Sequence, residues 1–462
     1  MSAEPPSPHR SPAASHTGTE RRSTALHTDR YELTMLQAAL ADGTAQRHCV
    51  FEVFTRRLPP GRRYGVVAGT GRLLEALSTF RFGDAELAYL SREGVVDRAT
   101  LEYLADYRFH GTISGYAEGE CFFPGSPVLS VEGTFAEAVL LETLVLSILN
   151  HDSAVASAAS RMTGAAIGRP CLEMGSRRTH EESAVAAARA TAVAGFAGTS
   201  NLEAGRRYGL RTIGTAAHAF TLLHDDERSA FAAQVRALGP GTTLLVDTYD
   251  VAQGVRNAVE AAGTDLGAVR LDSGDLPFLA QEVRHQLDAL GATGTRIVVS
   301  SDLDEHAIAA LAAAPVDSYG VGTSVVTGSG APTCGMVYKL VAREGPDGTL
   351  QPVAKASATK KSLGGRKQAA RRLDESGRAI EEVVVGGPDH AVTGWTPDTA
   401  DLRPLHVPLV NDGAVDTRWT GAPGVALAAQ THERSRAELP PGATRLSAGD
   451  PAVPTVQTTL TD

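Results

Sequence analysis

The segment RLDSGDL sets Asp272 and Asp275 three residues apart around a glycine turn, with Arg270 just ahead of them. Carboxylates in such a loop can hold ribose hydroxyls, or Mg2+ whose hard oxygen ligands often include phosphates of the substrate itself. The same acids can instead cap the helix that follows, with Pro277 in its first turn. Two glycine loops, GVGTS (320–324) and TGSG (327–330), offer backbone amides that could cradle an anion, although ordinary turns use the same residues. Neither fits the dinucleotide fingerprint, and no GxxxxGK[ST] motif supports a P-loop ATPase. EMGSRRTH (173–180) places Arg177 beside Arg178, where one guanidinium can grip a carboxylate or phosphate, or else join a surface ion pair. His218, in GTAAHAF, has small neighbours that leave room for a ligand. A neutral imidazole can act as a nucleophile when another group orients it, and a satisfied core histidine is the competing interpretation.

These residues follow a repeated pattern of short apolar run, polar loop and helix. TLLVDTYD (243–250) precedes VAQGVRNAVEAAG, and GAVRLDSGDL (267–276) precedes a helix with Leu276, Leu279, Val283, Leu287 and Leu290 on one face. RIVVSSDLD (296–304) precedes EHAIAALAAA, and SYGVGTSVV (318–326) follows. Continuous apolar strands alternating with helices predict a parallel sheet covered on both faces. CLEMG (171–175), GFAGTS (195–200) and RTIGT (211–215) supply further candidate strands, approaching a closed barrel, with an open doubly wound sheet as the rival. In a barrel the C-terminal strand ends converge on one mouth. That geometry would gather Asp247 and Asp250, Arg270 to Asp275, Ser300 to Asp302, and Gly320 to Thr323.

The 462 residues suffice for a large core and a second domain. A net charge of -10 argues against a nucleic-acid partner. The four cysteines are widely separated and show no zinc-like spacing, so they are expected as buried thiols of a reducing compartment. The N-terminal segment lacks a signal-peptide apolar stretch, and AVLLETLVLSIL (138–149) is too short to span a bilayer, which together predict a soluble cytoplasmic protein. Helical spacing from Phe135 to about Ile167 predicts a long helix into the larger domain. The basic run KASATKKSLGGRKQAARR (355–372) divides between a phosphate-closing loop and a solvated face.

Taken together, LHTDRYELTM, FEVFTRRLP, GSRRTHEESA, GFAGTSN, GTAAHAF, LLVDTYD, RLDSGDL, VSSDLD, YGVGTSV, MVYKL and GGRKQAARR resemble the nicotinate phosphoribosyltransferase family, in order over most of 26–372. The resemblance implies an α/β fold, an irregular (β/α) barrel of the phosphoribosyltransferase type II kind packed with a smaller α/β sandwich. Its expected divisions are a disordered tail (1–24), the first part of the sandwich (25–134), the barrel (135–345), a segment returning to the sandwich (346–430) and an irregular tail (431–462).

The implied activity is ATP-coupled synthesis of nicotinate mononucleotide from nicotinate and 5-phosphoribosyl 1-diphosphate. ATP serves as co-substrate, and Mg2+ is not held by protein alone. A homodimer with shared sites is also implied. By matching motif, Tyr31 would stack on nicotinate in its own or the neighbouring subunit, while Arg177, helped by Arg178, would fix the ring and its carboxylate. Thr199 and Ser200 would line the same pocket, and His218 would be the phosphorylated histidine. Arg270 and Asp272 would contact phosphoribosyl groups, with Asp275 supporting their loop. Ser301, Asp302, Gly322 and Thr323 would hold the 5-phosphate end. The chain departs from the family pattern at Glu173-Met174-Gly175, where Asp-Phe-Gly is commoner, and at Ala219, where Ser commonly follows the histidine. Nicotinamide transfer and a noncatalytic ligand sensor are the alternatives.

Overall fold

A computed structural model describes residues 22–355, 363–397 and 399–460. The apolar runs between 170 and 325 form one sheet in the spatial order Gly198–Thr199, Cys171–Glu173, Ser318–Val321, Arg296–Ser301, Ala268–Leu271 and Thr243–Leu245. Every pairing in it is parallel, so the loops after these strands open on one side. The ladder stays open, with Gly198–Thr199 and Thr243–Leu245 at its edges, and curls into a half-barrel. RTIGT adds only a bridge between Thr212 and Thr199 rather than a further strand.

Val269, Leu271, Ile297, Val299, Tyr319 and Val321 are buried in the core of this unit. Helices Val251–Ala262, Leu276–Ala289 and Glu305–Ala310 contribute Val255, Leu276, Val283, Leu287 and Ile308 to the same core. Their starts are set by acids at the strand ends. Asp250 accepts the Gln253 amide at 2.8 Å, Asp275 the Phe278 amide at 3.3 Å, and Asp304 the Ala307 amide at 2.8 Å.

The predicted long helix is Glu142–Ala165, preceded by a short helix Phe135–Val139. It feeds two cores. Leu144, Val145, Ile148 and Leu149 pack in the sandwich, whereas Val155, Ala156, Ala159 and Met162 pack in the half-barrel. Its small residues let the chain segment at 64–69 approach closely, and the amides of Val66 and Ala68 donate to Ser157 Oγ (2.9 Å) and Ser153 Oγ (3.1 Å).

The sandwich sheet has seven strands, ordered Leu350–Pro352, Met336–Glu344, His48–Thr55, Leu129–Thr134, Thr112–Tyr116, His406–Asn411 and Ala414–Val415. The chain therefore re-enters this sheet at Met336, ahead of the expected division at 345, because Met336–Glu344 pairs antiparallel with His48–Thr55. Past 430, where irregular chain was expected, the helix Gly421–Ala437 continues and Thr455–Thr459 adds a parallel strand to Ala379–Gly386. The helix buries Val425, Ala428, Thr431, His432 and Ser435 at helical spacing. That stripe is small and polar, so hydropathy does not reveal it.

Within the basic run, residues 356–362 lie outside the described residues, as do residues 1–21 of the expected tail. The described portion is held in ion pairs. Lys367 meets Glu52 at 3.0 Å, Arg366 pairs with Glu132 and Asp389, and fully buried Arg371 bridges Glu120, Glu382 and Glu438.

Candidate active site

Two adjoining cavities open among the loops at the C-terminal ends of the parallel strands. The larger, about 410 Å³, is lined by Ser176, Arg177, Ser200, the run from Ile213 to His218, and Leu245. The smaller, about 230 Å³, is lined by Arg177, Arg178, Ser300, Ser301, Asp302, Gly320, Gly322 and Thr323. Met174, Arg177, Arg270 and Asp272 border both. Met174 packs against Gly320, where an added Cβ would stand 2.8 Å from its Sδ and 3.0 Å from Ser300 Cβ. The absent side chain of Gly320 therefore makes the room that the Met174 divider occupies.

Arg270 and Asp272 form a rigid pair. Arg270 donates from Nη2 to Asp272 Oδ1 at 2.7 Å and from Nε to Ser300 Oγ at 2.7 Å, and the Ser300 hydroxyl donates to Asp272 Oδ1. Burial pushes the Asp272 carboxyl up, but the Ser300 hydroxyl and then the Arg270 guanidinium outweigh it and hold the acid below its usual range. Asp272 is thus anionic near neutral pH, with Oδ2 outside these bonds. The Asp272 amide donates to Asp247 Oδ2 at 2.8 Å, tying this loop to the preceding strand end.

His218 opens the short helix His218–Leu222 and keeps a side chain 40% exposed toward the larger cavity. Its Nδ1 lies 3.1 Å from Thr248 Oγ1, and its Nε2 lies 3.9 Å from Asp247 Oδ1. That Asp247 oxygen is buried and lacks a hydrogen-bond partner among the described residues. The imidazole is therefore oriented by a hydroxyl and faces a carboxylate, the setting a nucleophilic histidine requires.

Arg177 and Arg178 are exposed, and neither side chain pairs with an acid among the described residues, so the surface ion-pair alternative is not what the structure displays. The 320–324 loop contributes Gly322 and Thr323, the former preceding the turn Thr323–Val326.

Three of the residues named from the sequence do not line these cavities. Thr199 is buried behind the larger cavity, donating its hydroxyl to Glu173, and only its neighbour Ser200 reaches the lining. Asp275 caps its helix and lines neither cavity. Tyr31, 45% exposed on the helix Arg30–Asp42, also lies outside both cavities of its own chain. Burial, then Glu142 and Glu32, push its hydroxyl up to about 12. The sequence marked Glu173 only as a departure from the family pattern and Ser300 only as a polar residue at a strand end, and gave no role to Thr248, which contacts His218. The only signal for Thr248 was its position next to a predicted strand end.

Residues 26–150 match the family described as the nicotinate phosphoribosyltransferase (NAPRTase) N-terminal domain. Over 442 residues the chain is 60% identical to nicotinate phosphoribosyltransferase pncB1 of Mycobacterium tuberculosis, covering 93% of this chain and 94% of that one. The chain belongs to the nicotinate phosphoribosyltransferase family. The human nicotinate phosphoribosyltransferase is 32% identical over 428 residues, which span 78% of this chain and 79% of that protein.

The family fold is equally evident in solved structures. The crystal structure of human nicotinic acid phosphoribosyltransferase superposes with a TM-score of 0.79 at 27% identity, covering 93% of this chain and 97% of that one. A nicotinate-nucleotide pyrophosphorylase from Pyrococcus furiosus gives a TM-score of 0.72 at 25% identity, covering 90% and 95%. Both contain the type II phosphoribosyltransferase arrangement of parallel half-barrel and sandwich. Among the described residues, no helix of this family member is long and apolar enough to cross a membrane.

Proposed function

We propose that the protein makes nicotinate mononucleotide from nicotinate and 5-phosphoribosyl 1-diphosphate, releasing pyrophosphate, with ATP hydrolysed through phosphorylated His218. The observation that carries this reading is the shared wall. Arg177, Arg270 and Asp272 border both cavities, and His218 opens into the larger one, so a pyridine carboxylate and a phosphorylated sugar can meet.

In the transfer step the nicotinate ring nitrogen forms the new bond to C1 of the ribose as the C1–O bond to pyrophosphate breaks. Positive charge develops on the sugar, and anionic Asp272, fixed by Arg270 and Ser300, favours that state electrostatically. No protein base is needed, because the attacking nitrogen carries no proton. Arg177 meets the nicotinate carboxylate, with Ser200 across the same cavity. Gly322, Thr323 and Ser301 receive the 5-phosphate, with Arg178 adding charge at that end. Asp272 and Asp302 line the smaller cavity, and their hard oxygens would help hold Mg2+ brought in with the diphosphate donor. The ion would neutralise the departing charge.

His218 takes the γ-phosphoryl group of ATP, forming an N–P bond as ADP leaves, and water later releases phosphate. This can drive synthesis only if the phosphorylated and free enzymes bind donor and product differently. A homodimer in which the exposed Tyr31 reaches the partner's ring pocket completes the reading.

Product identification tests it. Purified protein is incubated with Mg2+, the donor and equal nicotinate and nicotinamide, with and without ATP. Nicotinate mononucleotide should dominate, and ATP should increase its yield. Equal use of the amide would remove the substrate assignment, and saturable binding without turnover would favour a sensor.

A further inference from the structure

Glu173 ends the Cys171–Glu173 strand, between Ser318–Val321 and Gly198–Thr199 in the sheet. Its side chain is fully buried, lines neither cavity, and has no cation partner among the described residues. One carboxylate oxygen accepts the Gly175 amide and the other accepts the Thr199 hydroxyl. Its backbone carbonyl accepts the Ser200 amide at 2.8 Å, and just outside these bonds Asn201 Nδ2 donates to Ser176 Oγ at 3.1 Å. One residue thus ties together two loops, the first carrying Ser176 and Arg177 and the second carrying Ser200, and all three line the larger cavity.

Burying a carboxylate served only by neutral donors is costly, and an apolar residue would fill a strand position without that cost. Desolvation pushes the Glu173 carboxyl up, and Thr199 and Gly175 draw it only partly back. The turn is packed closely, since a Cβ on Gly175 would stand 2.2 Å from Val326 Cγ1. What the acid supplies is a fixed separation between the two loops.

We propose that Glu173 is a positioning residue for base recognition, which sets the distance between Arg177 and Ser200 by stapling their loops and so matches the cavity to a carboxylated pyridine. The proposal rests on the nicotinate reading above. It gives buried Thr199 a role behind the pocket wall, where its hydroxyl is the second half of the staple.

The test compares the full-length wild type with Glu173→Gln, Thr199→Val, Thr199→Ser and the double variant Glu173→Gln/Thr199→Val, each assayed with Mg2+ and ATP. Displacing Arg177 relative to Ser200 should raise the nicotinate KM about tenfold in Thr199→Val, and less in Glu173→Gln, whose amide oxygen still accepts the Gly175 amide and whose NH2 can donate to the Thr199 hydroxyl. The KM for 5-phosphoribosyl 1-diphosphate and the level of phosphoenzyme should stay close to wild type. Thr199→Ser keeps the hydroxyl and should restore the nicotinate KM. The double variant should be no worse than the more affected single variant, because both substitutions break one staple.

An unchanged nicotinate KM in folded Thr199→Val would overturn the proposal. So would a parallel rise for both substrates, or Thr199→Ser behaving like Thr199→Val. If Glu173→Gln does not fold, the Thr199 pair decides alone. Failure of the wild type itself to form nicotinate mononucleotide would instead overturn the activity reading, and is distinguished because it precedes any variant.

Discussion

Arg177 reaches both cavities with its guanidinium unmatched by any acid among the described residues, whereas Arg270, in the same shared wall, is locked to Asp272. A charge held free at a binding surface is available for a ligand carboxylate. Arg177→Ala should raise the nicotinate KM roughly 10- to 100-fold, the range expected for losing a charge-assisted hydrogen bond, while the nicotinamide KM changes little. Steady-state kinetics with both bases checks this, and an equal effect on the two would move the carboxylate contact elsewhere. The cavity-lining positions of Arg177 and Asp272 were legible because each follows a strand end, whereas His218 follows only the bridged RTIGT segment and was singled out by its motif GTAAHAF. Asp275 and Thr199 were not separable from true lining residues, since a single peptide step decides whether a side chain faces the mouth, a helix start or the interior. Asp275 turns to the Phe278 amide and Thr199 to Glu173.

Among the elements, the Ser318–Val321 strand is constrained at Gly320, which lies under Met174 at the divide between the cavities. Gly320→Ala would press a methyl group toward Met174 Sδ at 2.8 Å and Ser300 Cβ at 3.0 Å. Overpacking of this kind typically costs about 1–3 kcal/mol. It should also displace Ser300 from Arg270 and Asp272 and lower kcat about tenfold or more, with a smaller fall in Tm than in activity. A rise in Met174 mobility without loss of kcat would show that the divider does not organise the Asp272 pair. The strands and their covering helices could be read from alternating apolar runs and acid caps. The helix Gly421–Ala437 could not, because its buried face is built from Gly424, Val425, Ala428, Thr431, His432 and Ser435, with Val425 its one sizeable apolar residue.

At the scale of the whole molecule, the helix Glu142–Ala165 joins two cores, and the buried Arg62–Glu305–Arg161 cluster clasps them together. The return of Met336–Glu344 to the sandwich sheet, beside His48–Thr55, closes the chain on itself. Local periodicity marks strands but carries no record of whether a ladder closes, so the open half-barrel and the early return to the sandwich emerge only from pairing. That architecture brings loops from distant parts of the sequence to one mouth, where Thr248 and Asp247 orient His218 beside the Arg270–Asp272 pair. The most direct measurement of its purpose uses ATP labelled in the γ-phosphate, following protein-bound label and nicotinate mononucleotide in the same samples of wild type and His218→Asn. Wild type should carry acid-labile label that turns over as product forms, and the variant should carry none and make product slowly without ATP stimulation. Normal labelling and normal ATP stimulation in His218→Asn would contradict the assignment of this pocket as the site where ATP hydrolysis is coupled to nucleotide synthesis.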